Sequence, residues 1–244
     1  MSRLPNPNPP LPTHAMKLQP IIPALALLLV MTPAMLPART IDWGSAVSDT
    51  LATSSGLALA DTFIFELGTF GTFVPSEFNL DLWLANWKVF DRATAPAANG
   101  WDPVNGFVSS SATLLTNGTS SESPPLPAFT FAQGEQAYIW VYNGFTIGAL
   151  TEWALVTNNS LDGNPLDDWL MPAHSDQTAQ PLDWRLSTAT QVPFGGLNDV
   201  QGPGDFTVDP GVFQLQTHTV PEPASALLIA ISGLLFQFRR RSRR

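Results

Sequence analysis

Ala137-Tyr138-Ile139-Trp140-Val141-Tyr142 is followed, across Asn143-Gly144 and a short connection, by Glu152-Trp153-Ala154-Leu155-Val156-Thr157. β-Branched and aromatic residues dominate both runs, and such side chains favour a pleated, extended backbone. Successive strand residues point to opposite faces, so Tyr138, Trp140 and Tyr142 line one side while Ile139 and Val141 line the other. Both sides are apolar, and the strand is expected to be covered on both. The second run has the same length, with Trp153 and Leu155 opposed to Ala154 and Val156. Two such runs joined through glycine predict a long-looped hairpin.

Working outward, Asp61 to Leu67 alternates with Phe63, Phe65 and Leu67 on one face, which predicts a half-buried strand. Gly68 and Gly71 punctuate its end and predict a bend or bulge. Leu80, Trp83, Leu84 and Trp87 recur at helical spacing, so one short helix is expected, with Ser76 and Asn79 as polar starters. From Ala95 to Ser123 the composition is turn-like, Gly100-Trp101-Asp102-Pro103 reads as a corner, and Asn117-Gly118 suits a tight turn. Phe129 and Phe131 predict a strand, as do Asp183–Leu186, Phe206–Val208 and Val212–Thr217, the last two separated by the turn signal Asp209-Pro210-Gly211. Short strands, frequent turns and a single helical stretch predict an all-β chain: an antiparallel β-sandwich, jelly-roll or immunoglobulin-like, over residues 39–219.

Charge narrows the function of that body. Of 11 basic residues in the chain, only Arg39, Lys88, Arg92 and Arg185 lie within 39–219, against all but one of the 20 acidic residues, a net charge of −15. Such a surface repels phosphate backbones and excludes nucleic acid as a partner. It suits solubility, cations or a hydrated extracellular matrix. There is no cysteine; stability must therefore come from burial, and thiol catalysis and cysteine-based metal sites are excluded.

The ends carry the clearest signal. Pro221-Glu222-Pro223 precedes an uncharged apolar run, Ala224 to Phe238, and then Arg239, Arg240, Arg241, Ser242, Arg243 and Arg244. An apolar run beside clustered arginines reads as a transmembrane helix over 224–238 with a basic stop on the cytoplasmic side. This order of tripeptide, apolar helix and arginine cluster over residues 220–244 resembles the PEP-CTERM sorting signal of exported Gram-negative proteins. The resemblance implies processing near Pro221, Glu222 and Pro223 by an exosortase-type membrane transpeptidase, and delivery to the cell surface or an exopolysaccharide matrix such as a biofilm. It assigns no activity to the body. At the other end, Met16 and Lys17, an apolar segment from Ile21 to Met31 and the small residues up to Ala38 predict a signal peptide over 16–38. Cleavage is expected after Ala38, with Ala34 as the alternative. Residues 1–15 read as an upstream segment, with Met16 as the start.

Chemistry inside the body is sparse. His174 is its one histidine, read as a solvated loop residue, since His218 is assigned to the linker before the sorting signal. No Gly-x-Ser-x-Gly elbow occurs, so catalytic residues are not assigned and the body is read as non-enzymatic. Asp162, Asn164, Asp167 and Asp168 offer hard oxygen ligands on a Gly-containing loop and are the candidate calcium site, without the spacing of a helix-loop-helix calcium loop. No other cofactor is expected. Trp101 and Trp169, in loop-like sequence, are the candidates for an exposed sugar-binding platform. A carbohydrate-binding module or carbohydrate-active hydrolase is thus the alternative to a structural or adhesive matrix protein.

Overall fold

The computed structural model describes residues 39–122, 129–159, 167–176, 180–209 and 213–222. Along them run β1 (Arg39–Gly44), β2 (Leu51–Ala52), β3 (Ile64–Thr69), the helix α1 (Trp83–Asn86), β4 (Lys88–Ala93), β5 (Trp101–Asp102), β6 (Phe107–Leu114), β7 (Ala137–Tyr142), β8 (Glu152–Thr157), β9 (Leu182–Arg185), β10 (Gln191–Phe194), β11 (Gly196–Leu197), β12 (Val200–Gln201), β13 (Leu215–Gln216) and β14 (His218–Thr219). The fold is all-β with one short helix. The largest sheet has the order β10-β8-β7-β3-β4, with β14 also on β8; a second runs β5-β6-β1-β9 and a third β12-β11-β13-β2. The long ladders are antiparallel, while β1 with β9 and β13 with β2 are parallel.

The β7–β8 hairpin forms as expected, with Trp140 opposite Leu155 and Tyr142 opposite Trp153. Its two faces feed two cores. Ile139, Val141, Ala154 and Val156 join Phe65 and Leu67 of β3, and meet Ile41 and Trp43 of β1 with Val108, Ala112 and Leu114 of β6. Trp140, Tyr142, Trp153 and Leu155 face the other way, onto Phe70, Trp83, Trp87 and Phe194. This second core is largely aromatic: Trp83 stacks on Trp153 with ring centroids 5.7 Å apart, and Trp140 meets Trp153 edge-on at 5.0 Å. Such offset and edge-to-face pairs add to area burial.

The helical stretch is shorter than its spacing predicts. A 3₁₀ turn over Leu80–Leu82 leads into α1, which ends at Asn86. Leu80, Trp83 and Trp87 are buried, but Leu84 is 52% exposed. Trp87 has left the helix for extended backbone, where its Nε1 donates to Glu66 Oε2 at 2.6 Å. A buried hydrogen bond to a carboxylate thus ends the helix one residue before the apolar pattern does.

The turn-like reading of Ala95 to Ser123 is corrected by β6, an eight-residue strand and the longest described. Val108, Ala112 and Leu114 point into the first core, and the inward Ser110 donates to the buried Asp91 at 2.7 Å. Ser109 and Ser111 face outward. Phe131 is buried but lies in no strand, its N–H donating to Gly118 O, and Phe206–Val208 is likewise not a strand. The expected irregularity after Leu67 is present, because the β3–β4 register shifts between Leu67 and Gly68. A side chain on Gly68 would overlap the Trp87 ring and the Lys88 carbonyl.

Candidate functional site

The strand β4 contributes three polar side chains in different settings. Lys88 Nζ lies 2.7 and 2.8 Å from the two oxygens of Glu135, which also accepts from Thr69 Oγ1 at 2.7 Å. Burial raises the Glu135 pKa, but hydrogen bonds from Lys88, Thr69 and Ala132 outweigh it and leave the carboxyl below its ordinary value. Asp91 is buried and fully engaged: Oδ2 accepts from Trp43 Nε1 and Ser110 Oγ, each at 2.7 Å, and Oδ1 from the Arg92 N–H at 2.8 Å. Arg92 donates through Nε to Glu66 Oε1 at 2.6 Å. Burial and the Glu66 charge together hold the nearby Tyr142 phenol well above its ordinary pKa.

Where β4 meets β6, Asp91 and Arg92 border a polar groove of about 510 Å³, also lined by Asn99, Ser109, Ser111 and Glu122 among others. Hydroxyls, an amide, a guanidinium and carboxylates share one concave surface. That mix serves a neutral polyol better than an apolar or phosphorylated ligand. It holds no histidine and no activated nucleophile. The Asp91 carboxylate is already held by three hydrogen bonds within the fold. No sequence motif marks this groove, because it depends on pairing β6 with β1 and placing β4 beside it.

The residues singled out from sequence fall in several places. All eight tryptophans are buried, Trp101 and Trp169 included, which corrects the expectation that these two sit exposed in loops. Trp101 opens β5 and donates to Ala60 O at 3.1 Å, while Trp169 stacks on Trp184 with centroids 6.2 Å apart. His174 is half-buried, not solvated, with Nε2 2.5 Å from Phe131 O. Of the calcium candidates, Asp162 and Asn164 lie outside the described residues, Asp167 is exposed and Asp168 half-buried. Nearby Asn158 is spent on loop closure, its Nδ2 donating to Asp167 O at 2.8 Å. Among the described residues no group of three or more His, Asp or Glu is arranged to hold a metal ion.

At the C-terminal end His218 is not in a linker but in β14, paired with Trp153 of β8 and fully buried. Val220 is 2% exposed, packs into the aromatic core and donates its N–H to Thr151 O at 2.8 Å. Pro221 and Glu222 follow directly on the surface. Pro223, the 224–238 run and Arg239, Arg240, Arg241, Arg243 and Arg244 lie outside the described residues, as does the signal peptide expected over 16–38. No helix among the described residues is long and apolar enough to cross a membrane. Searched against known proteins, the chain matches no protein-family model, no curated protein and no solved structure.

Proposed function

We propose that this chain is an exported cell-surface or extracellular-matrix protein, delivered through a signal peptide over 16–38 and processed at a PEP-CTERM signal over 220–244. In this reading the helix 224–238 and its arginine cluster hold the precursor in the inner membrane with the body outside. An exosortase-type enzyme then cuts near Pro221-Glu222-Pro223. The body is a β-sandwich of the jelly-roll or immunoglobulin kind, structural or adhesive in an exopolysaccharide matrix. The observation that carries the reading is the change at Val220: burial stops there, and Pro221 and Glu222 are exposed at once. A processing enzyme needs an accessible peptide beside a folded body, and this is such a boundary.

Replacing Pro221, Glu222 and Pro223 with alanine in a Gram-negative host that carries the sorting enzyme is expected to leave the protein in the inner membrane at precursor mass. Release at mature mass despite that change would contradict the reading.

The β4–β6 groove favours one further reading, a carbohydrate-binding rather than hydrolytic role within the same matrix. Its volume of about 510 Å³ and its mixed polar lining suit a sugar unit. Asn99→Ala with Ser109→Val is expected to abolish retention on the secreted polysaccharide without changing the melting temperature. Equal retention of the double variant would exclude the groove.

A further inference from the structure

His218 is wholly buried between two rings, with centroids 6.4 Å from Phe194 and 4.7 Å from Phe206. Its Nδ1 lies 2.9 Å from Pro203 O and its Nε2 2.8 Å from Gln201 Oε1. A main-chain carbonyl can only accept, so Nδ1 must carry a proton. The orientation of Gln201 is fixed by a chain of contacts that ends on backbone. Gln216 Nε2 lies 3.1 Å from Thr53 O and 2.8 Å from Val208 O, two acceptors that only an NH₂ group can serve. Gln216 Oε1 therefore accepts from Gln201 Nε2 at 2.9 Å, which turns Gln201 Oε1 toward the imidazole. Rotating either amide would set oxygen against oxygen. Nε2 must then be a donor as well, and only the imidazolium has two ring N–H groups.

We propose that His218 is a proton-operated latch on the C-terminal strand: as the imidazolium it ties β14 to residues 201–203 through two donors, and on losing its proton it must release one of them. The charged groups acting on the ring are Glu152 of β8 and Asp205. Glu152 is itself held by Ser54 Oγ and Thr217 Oγ1, both at 2.6 Å, and Asp205 bridges to Thr219. Burial lowers the His218 pKa, and although the Pro203 carbonyl, Glu152 and Asp205 oppose it, the group stays below the ordinary histidine value. The latch is accordingly open at neutral pH and closes on acidification. Because the unfolded chain takes up this proton first, the residue's contribution to global stability declines as pH falls through the ordinary histidine range. Closure strengthens the local join without cancelling the cost of the buried charge.

The test is NMR of the full chain in detergent micelles, with ¹⁵N in the histidine rings and glutamine side chains, from pH 4.5 to 8. At the acid end both His218 nitrogens are expected to be N–H, with one becoming unprotonated as pH rises and the Gln201 and Gln216 amide signals moving at the same midpoint. In Gln201→Met, at a half-exposed position, the cation loses its second acceptor and the midpoint should fall by about one unit or more. A ring in one protonation state throughout, titration without a Gln201 response, or an unchanged midpoint in Gln201→Met would each overturn the proposal.

Discussion

Glu66 and Arg92 sit opposite each other across the β3–β4 ladder and join at 2.6 Å, yet the carboxylate is 0% exposed and the guanidinium 39%. The pair is therefore unequal. An exposed cation can recover water when its partner is lost, whereas a buried anion cannot. Arg92→Met removes the guanidinium from the buried Glu66 carboxylate, which keeps its hydrogen bond from Trp87 Nε1, and is expected to cost about 3 kcal/mol at neutral pH. Glu66→Gln keeps an acceptor for Trp87 and should cost about 1 kcal/mol. Urea unfolding of the two variants checks the order, and equal losses would refute it.

Gly44 ends β1 at a backbone angle of φ +147°, where an added methyl would overlap the Val108 carbonyl. Gly106 also has a positive φ, +70°, but a methyl there meets nothing within 4 Å. Gly44→Ala is expected to destabilise by about 3 kcal/mol and Gly106→Ala by about 1 kcal/mol. Comparison of their melting temperatures separates overlap from backbone conformation.

With every tryptophan buried, native fluorescence should be blue-shifted and weakly quenched by acrylamide. Secreted polysaccharide, if bound, should leave that emission unchanged. A red-shifted native spectrum or a polysaccharide-induced shift would place a tryptophan at the surface.

Glu135 holds its proton less tightly in the folded protein than in the unfolded chain. A depressed carboxyl pKa contributes stability above the unfolded value, about 4.3, and loses it as pH falls toward the folded one. Lys88→Met removes the hydrogen-bonded cation and should cost about 1 kcal/mol at pH 7. It should also flatten the fall in stability between about pH 5 and 3. Parallel stability profiles for the two proteins would contradict this.

The β7–β8 hairpin was readable because its apolar alternation is local and strong. Strand β6 was not, since Ser109, Ser110 and Ser111 resemble turn residues. Its extended form comes from pairing with β1 and from the Ser110–Asp91 hydrogen bond, both contacts between distant segments. For the same reason the two-residue strand at His218 reads as a tail until β8 is placed beside it. The candidate groove inherits that blindness, because its lining comes from β4, β6 and the turn at Asn99. Tryptophan burial was misjudged where loop-like sequence surrounds Trp101 and Trp169, whose rings are fixed by packing rather than by strand pattern. The pattern over residues 220–244 that we propose as a sorting signal, by contrast, is linear and needs no fold to be seen.

Mass spectrometry of both termini of the protein recovered from a Gram-negative host with a sorting enzyme tests the central claim most directly. Export with processing predicts a mature chain beginning at Arg39 and ending between Val220 and Pro223, recovered outside the inner membrane. A soluble cytosolic polypeptide that still carries Met16 and Arg244 would contradict it.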